Sequence, residues 1–151
     1  MTPQDYYADF MAIRSMRSPT AKRVRMLTEL LSGYEDNWIV TGVTKEALDV
    51  FKQHGFRKVS RMGINRSHLV DRYKTYTQMI EGPEMSAEDW WQFYRDNDKT
   101  VLATSSENMT NNFSETYAVD TELGLFRTQG FAWKHNKAEV RFLEEMYESV
   151  N

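Results

Sequence analysis

The chain has 151 residues, of which 40% are hydrophobic and 13% aromatic, which excludes a disordered chain and allows a core that needs no disulfide or metal to hold it. There is no cysteine, which excludes disulfides, thiolate zinc sites and cysteine nucleophiles. The net charge of −3 conceals an asymmetry: residues 1–80 carry 13 Lys/Arg against 8 Asp/Glu, so +5, whereas residues 81–151 carry 6 against 14, so −8.

In chain order, Thr2-Pro3 predicts a helix start, with Tyr6, Tyr7, Phe10 and Ile13 at helical spacing behind it. Ser18-Pro19 repeats the signal, Val24, Leu27, Leu30 and Leu31 form an apolar stripe, and Gly33 is a natural stop. Trp38-Ile-Val40 reads as a short extended piece. Thr44 opens a third helix with Leu48, Val50 and Phe51 on its apolar side, His54 at its C-terminal end and Gly55 closing it. Two helices followed by a basic segment allow a helix-turn-helix reading, although the stretch from Gly33 to Val43 is long for its turn.

Residues 56–70 are basic, with Gly63 inside them, and read as a strand or hairpin; 71–80 read as helical, ending before Gly82-Pro83. Ser86-Ala-Glu88-Asp89 starts a helix through Trp90, Trp91, Phe93 and Tyr94. Adjacent tryptophans on a helix diverge by about 100°, so one of them belongs in the core. Thr100–Ala103 is a β-branched strand that passes through Thr-Ser-Ser into Glu107-Asn108-Met109, and the serines are placed to cap the helix that follows. Tyr117-Ala-Val and Leu125-Phe126 flank Asp120–Gly124 as a hairpin. A final helix carries Val140, Leu143, Met146 and Tyr147 on one face. The expectation is one globular α+β domain over residues 1–151: a helical N-terminal third, short antiparallel strands with a strand-to-helix (ββα-like) unit, and a C-terminal helix.

The positive charge peaks at Arg57, Lys58, Arg61, Arg66, Arg72 and Lys74, opposed only by Asp71, and such a strip can neutralise phosphates. His135, in Trp133-Lys-His-Asn-Lys137, could also touch a phosphate. No apolar run reaches the length of a membrane span, and the first residues lack the apolar core of a secretory leader, so a cytoplasmic protein without a membrane partner is expected. A Gly-rich phosphate loop, a Gly-x-Ser-x-Gly elbow and a His-Glu-x-x-His pair are absent from the sequence.

His68 in Asn65-Arg-Ser-His-Leu-Val70, Asn97 and Asp98 before the strand, and Asn108 after it in Leu102-Ala-Thr-Ser-Ser-Glu-Asn-Met109 occur in an order that resembles the ββα-metal motif of HNH endonucleases over residues 64–112. The resemblance implies a metal-dependent DNA endonuclease, degenerate or active. It implies Mg²⁺ or another divalent cation as cofactor and nucleic acid, chiefly DNA, as partner. His68 would be the general base, Asn97 would orient its loop, and Asn108, with Asp98 as a further candidate, would ligate the metal. Ser67 stands where the family places a second ligand before the histidine. The alternative is a non-catalytic regulatory or protein-binding module of the small phage or mobile-element kind, whose acidic C-terminal half meets a basic partner.

Overall fold

The computed structural model describes residues 1–127 and 137–151. In chain order the elements are α1 (Pro3–Arg14), α2 (Thr20–Leu31), β1 (Val40–Thr44), α3 (Lys45–Gln53), β2 (Ile64–His68), α4 (Arg72–Glu81), α5 (Ala87–Asn97), β3 (Thr100–Thr104), α6 (Ser105–Thr110), β4 (Thr116–Ala118) and α7 (Lys137–Val150). The architecture is α+β. No helix among the described residues is long and apolar enough to cross a membrane. The described residues cluster into two compact units, Met1–Asn37 with Leu69–Lys99 and Trp38–His68 with Thr100–Asn151. Each has a core of its own.

The first unit consists of α1, α2, α4 and α5. Thr2 caps α1 as expected, in a reciprocal box in which its hydroxyl accepts the Asp5 N–H and the Asp5 carboxylate accepts the Thr2 N–H. α2 departs from expectation: Pro19 takes the cap position itself and no side chain caps it. The core is aromatic, with Phe10 stacked on the fully buried Trp90 at 4.7 Å and Tyr6 on the half-buried Trp91 at 5.8 Å. Arg14 closes the last turn of α4 by donating to the carbonyls of Met79, Ile80 and Gly82 at 2.6–2.9 Å, which satisfies acceptors that a helix end leaves open.

The second unit is a mixed sheet in the order β2-β3-β1-β4, with α3 and α7 packed together and α3 lying on β1 and β3. β2 and β4 are antiparallel to their neighbours, but β1 and β3 run parallel, a pairing that short-strand patterning did not indicate. Each strand of the parallel pair ends on a threonine that starts a helix, Thr44 into α3 and Thr104 into α6. The register of this pair shifts between Val40 and Gly42. Only glycine fits at position 42, because a Cβ there would lie 2.6 Å from the Thr116 methyl and 3.2 Å from the Tyr117 carbonyl of β4.

Three sequence expectations are corrected here. Thr104, not Ser105 or Ser106, caps α6. A strand separates α2 from α3, so those helices do not form a helix-turn-helix. The hairpin after Tyr117 does not form: β4 pairs with β1, Asp120 caps a 3₁₀ turn at Thr121–Leu123, and the Phe126 N–H goes to Glu139 Oε1 at 2.9 Å.

The caps of α3 and α6 meet at one carboxylate. Glu107 is 3% exposed; its Oε1 accepts the Thr44 hydroxyl at 2.6 Å and the Thr104 N–H at 3.0 Å, while Oε2 accepts the Ser114 N–H and hydroxyl at 2.7 and 2.8 Å. Burial pushes this carboxyl up, but the bonds from Thr44, Ser114 and Thr104 outweigh burial and hold it below its ordinary 4.5. A carboxyl depressed in the folded state contributes stability that is complete above the unfolded value and is lost as pH falls through the folded one. Glu107→Gln turns an amide N–H₂ toward donors, and we expect a loss of about 2 kcal/mol at neutral pH in urea denaturation. The variant's stability should also fall less than the wild type's between neutral pH and pH about 3. Equal losses on acidification would show that the carboxylate does not hold the junction.

Candidate functional site

β2 ends on His68, which sits opposite Thr100 in the antiparallel β2–β3 ladder. Its ring meets the Trp38 indole edge-on at 4.8 Å between centroids, and the Arg66 guanidinium lies over the same indole at 5.1 Å. Arg66 and His68 are two apart on a strand, so both reach one side of the sheet, and Trp38 packs against the pair. Trp38 itself has a left-handed backbone (φ 57°), and its carbonyl accepts Arg66 Nη1 at 3.4 Å and the Thr100 hydroxyl at 3.0 Å. The histidine thus belongs to an aromatic and cationic stack that packs the β2 edge of the sheet.

Asn108 is exposed on α6. α6 begins beyond Thr104, which pairs with Ile64, at the end of the ladder away from His68. At about 3.3 Å per residue, the stretch from Thr100 to Thr104 is roughly 13 Å of strand, and a six-residue helix is only about 9 Å long. The antiparallel register therefore places His68 and Asn108 at opposite ends of the ladder, and not at one strand end as the expected common cleft would need.

Asn97 and Asp98 lie in the helical unit. Asn97 Nδ2 donates to the Phe93 carbonyl at 2.8 Å, which satisfies the last turn of α5. Asp98 is 2% exposed and faces Arg95 at 3.8 Å. Burial pushes the phenols of Tyr76 and Tyr94 far up, and the charge of Asp98 pushes them further. Tyr94 meanwhile donates to Asn37 Oδ1 at 2.7 Å. Asn97 thus closes its own helix, and Asp98 belongs to a buried polar cluster with Arg95, Tyr76 and Tyr94. Among the described residues no three His, Asp or Glu side chains gather as a metal ion would require.

The six cations of the basic strip divide by use and by unit. Arg66 is committed to Trp38. Arg72, in the helical unit, lies over the Tyr76 ring at 5.8 Å and donates to the Thr28 hydroxyl, while Lys74 is exposed. Arg57, Lys58 and Arg61 sit on the loop between α3 and β2, where Arg57 and Arg61 are exposed and Lys58 is half-buried. This loop turns through left-handed backbone at Gly55, Phe56, Arg61 and Gly63. Between Asp49 and Asp71 the chain contains no carboxylate at all.

Sequence reasoning missed Lys137 and Arg141. They stand one turn apart at the start of a helix whose acidic count hides them, and the available signal was their i, i+4 spacing. His135 lies outside the described residues. Comparison with family models, with curated proteins and with solved structures returns no match.

The commitment of Arg66 to the framework is measurable. Arg66→Ala should cost about 1–2 kcal/mol in chemical denaturation, since it removes a partly buried cation–π contact and a carbonyl partner. Arg61→Ala should stay within about 0.5 kcal/mol. Equal effects would contradict the assignment of Arg66 to the framework.

Proposed function

We propose that the protein binds nucleic acid, through phosphate contacts made by the loop between α3 and β2, and that this binding does not depend on a His68-centred metal site. The observation that carries the reading is the display of Arg57 and Arg61, with Lys58 beside them, on a loop within an acid-free stretch of chain. Cations held close together with no carboxylate between them attract a polyanion even when the whole chain is acidic. The field that matters is local, over a Debye length of about 8–10 Å in physiological salt.

The HNH-type reading required one cavity shared by histidine, asparagines and cation. The positions of His68 and Asn108 at opposite ends of the ladder do not support it, and neither do the structural bonds of Asn97 and Asp98. Single-strand binding by base stacking receives no support from Trp90, which is fully buried.

Fluorescence anisotropy with a labelled mixed-sequence duplex tests the proposal. Binding should weaken linearly in log K against log salt, with a slope near −0.9 per phosphate contacted, and Arg57→Glu/Arg61→Glu should remove most of it. Salt-indifferent binding, or none at low salt, would favour a basic protein partner for the acidic C-terminal half instead. A nicking assay with Mg²⁺ or Mn²⁺ addresses catalysis separately. We expect His68→Ala to behave as the wild type does, and divalent-dependent nicking that His68→Ala abolishes would restore the endonuclease reading.

A further inference from the structure

The loop after α3 is pinned to α7 by an aromatic contact. Phe56 is 8% exposed, and its ring meets Tyr147 at 5.6 Å between centroids. Lys52 Nζ lies 5.8 Å from the one ring and 5.5 Å from the other. That contact settles where the next residue goes. Arg57 closes one side of a cavity of about 190 Å³ whose other walls are Lys137, Val140, Arg141 and Glu144 of α7.

Lys137, Arg141 and Glu144 stand at i, i+4 and i+7 and so share a helix face, while Leu143 is buried in the sheet's core. Among the described residues, Arg57, Lys137 and Arg141 make no side-chain hydrogen bond or ion pair. Three cations against one carboxylate give the lining a formal charge of +2. Like charges at i, i+4 disfavour the helix that carries them, and Arg57 adds a third charge to the pair, a repulsion that a bound anion offsets. The first turn of α7 adds the positive end of its dipole. The volume lies below the roughly 300–1,000 Å³ of pockets for whole small molecules, which matches a single oxyanion and not a nucleotide.

We propose that this cavity is an oxyanion site that takes one phosphate group between Arg57, Lys137 and Arg141. The identity of its occupant rests on the nucleic-acid reading above: it is one backbone phosphodiester, which sets the register of the strand against the neighbouring loop. Glu144 is the single opposing charge and weakens the site.

The test compares full-length Lys137→Gln/Arg141→Gln, Arg141→Lys, Glu144→Gln and Arg61→Glu with wild type on the same labelled duplex, with circular dichroism melts as a check on folding. The double variant should lose about one phosphate contact. Its salt slope should fall by about 0.9, and its affinity at 50 mM salt should fall about fifteenfold relative to extrapolation at 1 M. Arg141→Lys should retain most of the affinity, and Glu144→Gln should bind more tightly than wild type, a gain that a merely structural role would not produce. If Arg61→Glu weakens binding while the double variant and Glu144→Gln do not, the cavity proposal falls and the nucleic-acid reading stands. If wild type binds no duplex, NMR titration with inorganic phosphate decides. Saturable shifts at the amides of Arg57 and 137–141, lost in the double variant, would keep the oxyanion site and assign it to free phosphate or a phosphomonoester. Their absence would overturn the site.

Discussion

The organisation of the sheet-bearing unit depends on the hydrogen bonds that Glu107 accepts at the joint between two strands and two helices. A parallel pair gets no help from a tight turn, because its strands are remote in sequence, so something must hold their ends in register. Here Thr44 and Thr104 each cap the helix that follows, through the Ala47 and Glu107 N–H groups, and both also reach the Glu107 carboxylate. The other carboxylate oxygen takes Ser114, next to Glu115, whose carbonyl accepts the Lys45 N–H at 2.7 Å. One buried side chain therefore ties the ends of β1 and β3 and the lead-in to β4. A charge this deeply buried is stable only when its lone pairs are filled, and the surrounding donors fill them.

Arginine carries much of the remaining polar construction, and its planar fork explains why. Arg14 covers three carbonyls at the end of α4; Arg23 donates to the Arg14 carbonyl and pairs with Glu81 at 2.7 Å; Arg95 lies 4.9 Å from the Tyr34 ring and donates to the Asp36 carbonyl. Counting charges along the sequence gives each of these residues the weight of a surface cation. Only the structure separates those spent on carbonyls and rings from those left facing solvent, and this second set decides what the surface can attract.

Much of the framework was legible because its signals are local. Thr2-Pro3, Thr44, Ser86 and Gly55 act where the sequence places them, since a cap or a left-handed turn is a contract between residues three or four apart. The α6 cap was misplaced by one or two residues because Thr, Ser and Ser are chemically interchangeable there. The Glu three positions after Thr104 was the discriminating mark. The direction of strand pairing was not legible, because β1 and β3 lie some sixty residues apart in the chain and nothing in either encodes its partner. The spatial relation of His68 to Asn108 was not legible for the same reason. His68 and Asn108 flank one strand in sequence, but an antiparallel partner runs backwards, so the residue that ends β2 lies where β3 begins. Proximity to an element in sequence says nothing about which end of it a residue will face.

The loop between α3 and β2 shows where local preference gives way. Phe56 and Arg61 adopt left-handed backbone that L-residues avoid, at a cost on the order of 1 kcal/mol or more each. For Phe56 the compensation is visible, since its ring is buried in the core beside Tyr147. Arg61, by contrast, is exposed. A glycine would relieve that residue at once, as Gly63 does two positions later at φ 75°. What glycine could not supply is a guanidinium held on a loop by the same fold that aims Arg57 at the first turns of α7. Phe56 and Arg61 carry the same local penalty, one beneath a buried ring and the other beneath a side chain that faces solvent.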